Sequence, residues 1–530
     1  MLQTVRSRRG MVVAPHHQAS QAGLRVLEEG GNAIEAMVAA ASAIAVAYPH
    51  MNALGGDNFW LIHPPGQDVI GIDACGSAAA KADIAFYRNQ GFNGIPSRGP
   101  LAALTVGGAI SGWQEALRVS TDEWGGSLPL SRLLEDAVFL ARDGIAVTRT
   151  QADNTAAKMQ EMQASPGFAE TYLDKGAPPR EGTLFRQPRL AETLTTLGRR
   201  GLDDFYRGAL ARAVAADLER AGTPLCLADL ERHRALRVAP LAAEIAGHQV
   251  YNMPPPTQGL ASLILLGVFA RLGVREAEGF EFIHGLVEAT KQAFRVRDGY
   301  VTDPAYMDVD SQSYLRDDVL DAMAAKIDPA HALPWPEASS KGDTVWLGAI
   351  DGEGRAVSFI QSIYWEFGSG VVLDETGITW QNRGVSFSLD DTHHNALRPH
   401  RRPFHTIQPA LAQLADGRVM PYGTMGGEGQ PQTQAMLFSR HVLFGQDLQQ
   451  SVTAPRWLLG RTWGAEATNL RIENRFDPTV IDALRAAGHE VEETGPFDEV
   501  MGHAGALVRH SDGLLEGAAD PRSDGSVAAY

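Results

Sequence analysis

Thr344 stands where a polar run, Ser339-Ser340-Lys341-Gly342-Asp343, meets the strand-like segment TVWLGAID. A threonine hydroxyl is a weak nucleophile until a base takes its proton, and one known base is the residue's own free α-amino group. That amine titrates at about 7.7–8.0 when unperturbed, so part of it is neutral at working pH. The chemistry requires a break between Asp343 and Thr344, and an exposed polar stretch just upstream is where a break is tolerated. Taken alone, the pattern reads more simply as an ordinary strand start, because β-branched residues suit a pleated surface. A second feature, Gly426-Gly427 in GTMGGEGQPQ, could bring two backbone N–H groups up to a developing oxyanion, with a helix starting near Gln430 adding its dipole. Its plain alternative is a tight turn.

The elements that must position these residues change character along the chain. ASQAGLRVLEEGGN has the period of a helix ending at Gly30-Gly31, and Asn32 caps a second, Ala-rich helix. Further helices are predicted at 130–143, 188–199, 208–220, 260–272 and 281–298. Three successive prolines in YNMPPPTQG set a rigid turn before the helix near Leu260. KIDPAHALPWPEASSKGD, 326–343, reads as an irregular, accessible linker. Beyond it TVWLGAID and RAVSFIQSIYW flank GEG as a hairpin, GITWQNR follows as a strand, and a second hairpin turns at ADGR. A helix-rich part thus precedes a strand-rich part, and long-range pairing between them would make one sandwich.

Of the 530 residues, 44% are hydrophobic and 21% charged, the make-up of a soluble globular protein. A net charge of −17 argues against a nucleic-acid surface. Cys75 and Cys226 are too few for a disulfide framework and lack metal-ligand spacing. The Ala-rich run at 35–49 is shorter than the ~20 residues of a membrane span, and MLQTVRSRRGMVV lacks a signal-peptide core. The expectation is a cytoplasmic protein with neither nucleic-acid nor membrane partner.

Several stretches in order, GMVVAPHHQASQAGLRVLEEGGNAIEAMVAAASAIAVAYPH with GGDNF, LTVGGAISGW, MPPPTQG, HGLVEATKQAFRVRD, DGEGRAVSFIQSIYWEFGSGVV, RPFHTIQPALA, GTMGGEGQPQ and APRW, resemble the gamma-glutamyltransferase family of N-terminal nucleophile hydrolases. The resemblance spans nearly the whole chain. It implies an α+β fold, a four-layer αββα sandwich built jointly by a large fragment, 1–343, and a small fragment, 344–530. Thr344 falls on the self-cleaving nucleophile, with Asp343 and Thr344 as the cleavage site. Ser362 falls on a supporting hydroxyl, for which a solvent-facing strand serine is the alternative. Gly426 and Gly427 fall on the oxyanion pair.

The chain departs from the family pattern where a gamma-glutamyl group is held. Cys75 stands at the family's arginine, Ser386 at its aspartate, Arg383 at a glutamine, Tyr364 at an asparagine, and His405 and Thr406 at paired hydroxyls. These changes argue against glutathione. They add a cation, Arg383, with Tyr364, His405 and Thr406 as further substrate-binding candidates; an exposed strand-end charge is the alternative for Arg383. The stretch GDTVWLG to WQNRG closely resembles the oxamate amidohydrolase branch, which implies hydrolysis of oxamate to oxalate and ammonia in purine-nitrogen recovery, without metal or organic cofactor. Competing expectations are a gamma-glutamyl hydrolase or transferase, a glutaryl-type acylase, and an uncut, non-catalytic binding protein. The resemblance also implies self-association of the fragments, with a dimer of processed pairs.

Self-cleavage is checked by intact-mass analysis: wild type should give a fragment of 343 residues and one of the remaining 187, both absent in Thr344→Ala.

Overall fold

The hairpin expected around GEG forms between strands Asp343–Ile350 and Ala356–Tyr364, closed by Asp351, whose Oδ1 accepts from the amides of Glu353 and Arg355. The computed structural model describes residues 3–335, 343–460 and 468–530, so the stretch 336–342 of the expected linker lies outside the described residues. The period-2 alternation of the hairpin sorts its side chains onto two faces. Val345, Leu347, Ala349, Val357 and Phe359 pack with the Ala-rich helix, whereas Trp346, Ile350, Ala356 and Ile360 enter a separate core.

That separate core is the seam between two sheets. One sheet runs Ser526–Ala529, Met11–Ala14, Asp343–Ile350, Ala356–Tyr364, Asp57–His63, Ile70–Ala74, Leu236–Val238. The other runs Val5–Ser7, Leu515–Ala519, Ala504–Arg509, Val419–Thr424, Ala410–Gln413, His248–Asn252, Leu241–Ile245. All neighbours in both are antiparallel. Helices His17–Glu28, Ala33–Ala47 and Ala109–Trp124 cover the first sheet; Gly259–Ala270 and Gln430–Phe438 cover the second, with Phe280–Tyr300 packed on them. The result is the four-layer αββα sandwich, and it is α+β. Each sheet takes strands from both sides of residue 343.

Local expectations fare unevenly. Asn32 caps the Ala-rich helix as part of a capping box with Glu35, and the helix before it ends at Gly30, at φ 91°. The 130–143 helix is two, Leu130–Leu133 and Glu135–Asp143. GITWQNR is not a strand. Only isolated bridges form at Thr379 and Trp380, because Gln381 and Asn382 spend their side chains on the carbonyls of Val106 and Ser97, and a 3₁₀ turn Arg383–Ser386 follows. Within 326–335 there is no helix or strand, yet this segment is held down: Lys291 donates to Leu333 O, Leu333 N to Glu288, and Ala332 N to Ala487 O.

Trp346 sets the fit of the two sheets. Its indole donates to Ser358 Oγ at 3.0 Å, and its ring lies against glycines of the facing sheet. A Cβ at Gly423 would stand 2.2 Å from the ring and one at Gly505 2.6 Å. Gly423→Ala should therefore cost about 1–3 kcal/mol through overpacking, read as a lower denaturant midpoint; an unchanged midpoint would show that the seam has slack.

Candidate active site

Thr344 ends the strand row that faces the seam, in step with Trp346, Gly348 and Ile350. On the neighbouring strand Ser362 lies in step with Ser358 and Ile360, and on the next strand Asp57 pairs in register with Ser362. Three adjacent strands thus bring a threonine, a serine and an aspartate to one end of one face. All three are buried, at 0%, 1% and 0% exposure, which removes the solvent-facing alternative for Ser362. Between the pairs Asp343↔Tyr364 and Val345↔Gln361 one residue, Thr344, faces two, Ser362 and Ile363. The extra residue lies on the Ser362 strand, and the bulge bends that strand and increases the local twist opposite Thr344.

The same bulge places Tyr364 at φ 81°, a conformation costing a non-glycine residue about 1–3 kcal/mol. Its amide donates to Ser362 Oγ at 2.8 Å, and its ring lies under the Arg383 guanidinium at 3.7 Å. Arg383 is fully buried, not an exposed strand-end charge. Its Nη1 donates to Thr406 Oγ1 at 3.1 Å, while Nε and Nη2, the side-on edge of the guanidinium, have no hydrogen-bond partner among the described residues. Burial lowers its pKa to about 10, against the pull of Tyr364, Asp57 and Cys75, so it remains a cation at neutral pH.

Asp57, which sequence reasoning passed over inside GGDNF, is the hub of the far side. Its Oδ1 accepts from the amides of Gly76 and Gly108 and from Gln381 Nε2; its Oδ2 faces His405 Nε2 at 2.9 Å. Burial raises the carboxyl to about 7, opposed by the amides of Gly108 and Gly76 and by Arg383. Burial, with Arg383 adding to it, holds His405 well below the usual range, so the imidazole is neutral. In the tautomer that donates from Nε2 to Asp57, Nδ1, which has no hydrogen-bond partner among the described residues, is an acceptor. Cys75 lies near enough to share an ion with Asp57 and His405. Both carboxylate oxygens are already taken by hydrogen-bond donors, however, and burial beside Asp57 and Asp73 keeps the thiol protonated. The donor set suits a hydrogen-bond network better than a metal.

A closed circuit joins these groups to the glycine pair. Gln258 Nε2 donates to Thr406 O at 2.6 Å and to Gly427 O at 2.7 Å, and Arg297 donates to Gln258 Oε1 at 3.1 Å. Gly426 and Gly427 both have positive φ, 122° and 50°, which favours glycine, and lead into a 3₁₀ turn before helix Gln430–Phe438. Among the described residues the amides of Gly426 and Gly427 donate to no other group. Gln430, read from the sequence only as a helix start, donates to Thr344 Oγ1 at 3.2 Å. Arg402 is absorbed by Asp73 and Asp303. A cleft of about 570 Å³ lined by Arg297, Val385, Ser386 and Phe404 borders this network at Arg297 and at the Arg383–Ser386 turn. Ser386, at the family's aspartate, turns its hydroxyl back to Arg383 O.

The chain is similar to known proteins along nearly its whole length. A family model described as gamma-glutamyltranspeptidase matches residues 19–530. The chain is 56% identical to an oxamate amidohydrolase proenzyme of Klebsiella pneumoniae over 99% of each chain. It is 39% identical to a glutathione hydrolase-like YwrD proenzyme of Bacillus subtilis over 98% of each. The solved cephalosporin acylase from Bacillus halodurans superposes with TM-score 0.91 at 33% identity, covering 100% of this chain and 97% of that one.

Asp57 carries four donors, so Asp57→Ala should destabilise the protein by about 3 kcal/mol or more, given ~1–3 kcal/mol per stranded buried group. Asp57→Asn, which keeps the Oδ1 acceptor, should cost less. Denaturant unfolding of both variants checks the order, and equal costs would mean that the amides of Gly76 and Gly108 do not depend on this side chain.

Proposed function

The chain belongs to the gamma-glutamyltranspeptidase family and is a hydrolase of its N-terminal-nucleophile type; we propose that Thr344 is its self-released nucleophile and that its substrate is a small amide-bearing acid, oxamate. The observation that carries the substrate is the Nε/Nη2 edge of Arg383, a buried cation with two parallel donors that no carboxylate among the described residues accepts from. A carboxylate fits such an edge bidentately. With Nη1 occupied by Thr406 and the ring of Tyr364 behind it, the guanidinium has one orientation in which to receive an anion. Similarity to the Klebsiella oxamate amidohydrolase supports the same reading.

In the continuous chain the nitrogen of Thr344 is a peptide nitrogen and cannot serve as the base. Processing begins when Oγ attacks the Asp343 carbonyl carbon; the C–N bond breaks as the acyl group passes to oxygen, the hydroxyl proton goes to the nitrogen and frees the α-amine, and water then cleaves the ester to the Asp343 carboxylate and the Thr344 hydroxyl. In turnover that amine takes the hydroxyl proton as Oγ bonds to the amide carbon, and the carbonyl oxygen becomes an oxyanion facing the amides of Gly426 and Gly427. Collapse breaks the C–N bond, and the proton leaves with ammonia. Water then cleaves the acyl ester to oxalate and restores Thr344. Ser362 lies beside the nucleophile to support its hydroxyl, and His405 Nδ1 and Tyr364 complete the wall around the acid. The fragments stay associated through the shared sheets. The cytoplasm, a place in purine-nitrogen recovery, and a dimer of processed pairs belong to this same reading.

A second reading, a glutaryl-type acylase, is favoured by the cleft of about 570 Å³ beside the Arg383–Ser386 turn, which would have room for a longer acyl group were it to open onto Arg383. There the same fork would hold the distal carboxylate of a longer acyl group.

Rates on oxamate, succinamate, a glutaryl amide and gamma-glutamyl anilide separate these readings, with the highest kcat/KM expected on oxamate. A higher value on the glutaryl or gamma-glutamyl compound would remove the oxamate assignment and leave the amidase. Arg383→Met should lower kcat/KM on oxamate about 10- to 150-fold, the equivalent of ~1.5–3 kcal/mol for hydrogen bonds to a charged group, chiefly through KM.

A further inference from the structure

Gln430 opens helix Gln430–Phe438, and Pro431 in its first turn fixes the start of that helix. The side chain is fully buried, and among the described residues its amide makes two hydrogen bonds. Its Oε1 accepts from the backbone N–H of Gln408 at 3.2 Å, and its Nε2 donates to Thr344 Oγ1 at 3.2 Å. One helical turn on, Gln434 Nε2 donates to Gln408 O at 3.0 Å, so two glutamines clasp the N–H and C=O of a single residue. Gln434 Oε1 in turn accepts from Ser262 Oγ at 3.1 Å, and Gln408 Nε2 donates to Ser262 Oγ at 2.9 Å.

The clasp decides which way the Gln430 amide faces. Flipping it would set an NH₂ against the Gln408 N–H, donor against donor in a buried site, and leave both unpaired. The group aimed at Thr344 is therefore an N–H and not a carbonyl. A threonine hydroxyl has one hydrogen and two lone pairs. With one lone pair held by Gln430, the oxygen keeps its hydrogen for another partner.

We infer that Gln430 is a further catalytic residue, whose side-chain N–H holds the Thr344 oxygen as an acceptor, directs its hydrogen toward the base and stabilises the negative charge that grows on Oγ as the proton leaves. The inference rests on Thr344 being the nucleophile. The hydrogen bond strengthens from hydroxyl to alkoxide-like oxygen, so it favours the transition state over the ground state. It acts in both reactions of this oxygen, the attack on Asp343 and the attack on the substrate. It plays no part in holding the substrate carboxylate, so its loss should leave KM nearly unchanged.

The test uses the full-length chain as Thr344→Ala, Gln430→Met and Gln430→Glu, with self-cleavage followed by intact mass and oxamate turnover followed against pH. Gln430→Met, similar in length but without a donor, should slow cleavage and kcat about 10- to 100-fold, somewhat less than the ~10²–10³ typical of an oxyanion donor, with KM within about twofold. Gln430→Glu should be slow at alkaline pH, where a carboxylate repels the developing charge, and should recover as the pH falls and the carboxyl regains a proton to donate. Its pH optimum should lie below that of wild type, a shift that a merely structural defect would not produce. Wild-type rates in Gln430→Met, or an unshifted optimum in Gln430→Glu, would overturn the inference. Should Gln430→Met not fold, Gln430→Glu, which has the same heavy-atom shape, decides alone, and failure of both to fold would assign Gln430 to stability. Activity in Thr344→Ala would instead overturn the nucleophile assignment, whereas an inert Thr344→Ala beside an unimpaired Gln430→Met would overturn only the role of Gln430.

Discussion

The seating of Trp346 between the two sheets is the constraint on which the site depends. Its ring occupies the space left by Gly423 and Gly505, and its nitrogen is bonded to Ser358 on the adjacent strand. Strand side chains alternate, so a slip of one residue would turn the whole row to the other face. The large ring admits one register, and that register sends Thr344, two residues earlier, into the seam beside Ser362. The bulge opposite Thr344 then bends the Ser362 strand at the point where these side chains gather.

The electrostatics follow from the same burial. A guanidinium sealed from water is costly unless something shares its charge. Here the sharing is partial: an aromatic face, one hydroxyl, and a carboxylate that also carries His405. The protein thus holds a cation incompletely matched along one edge, and an incoming carboxylate would supply what is missing. His405, kept neutral beside that cation, presents a lone pair and adds no second positive charge.

Much of this was legible before the structure, for identifiable reasons. The hairpin around GEG, the capping at Asn32 and the helix after Gly426-Gly427 are written in local turn and cap chemistry, which acts over a few residues. The departures at Arg383, Tyr364, His405 and Thr406 were visible as residue types, and the fold gathers all four in one place. What was hidden depends on distant pairing. Asp57 gains its meaning only when Gly76, Gly108, Gln381 and His405 converge on it from four separate segments, and Gln430 only when the helix is laid against Gln408. GITWQNR has β-forming residues, but its amide side chains are spent on other loops, so tertiary contacts override local preference.

Because each sheet interleaves strands from before and after residue 343, a cut at that bond would leave the sandwich with no surface along which to part. Segment 326–335, bound to helix Phe280–Tyr300, would stay in place on the first piece. Thermodynamically the cut turns a unimolecular folding problem into a bimolecular one. Before it, an unfolded molecule can refold at any dilution; after it, two unlike pieces must find each other, each exposing unpaired strand edges. The cut would thus act as a ratchet, leaving the working protein to persist through slow unfolding more than through recovery.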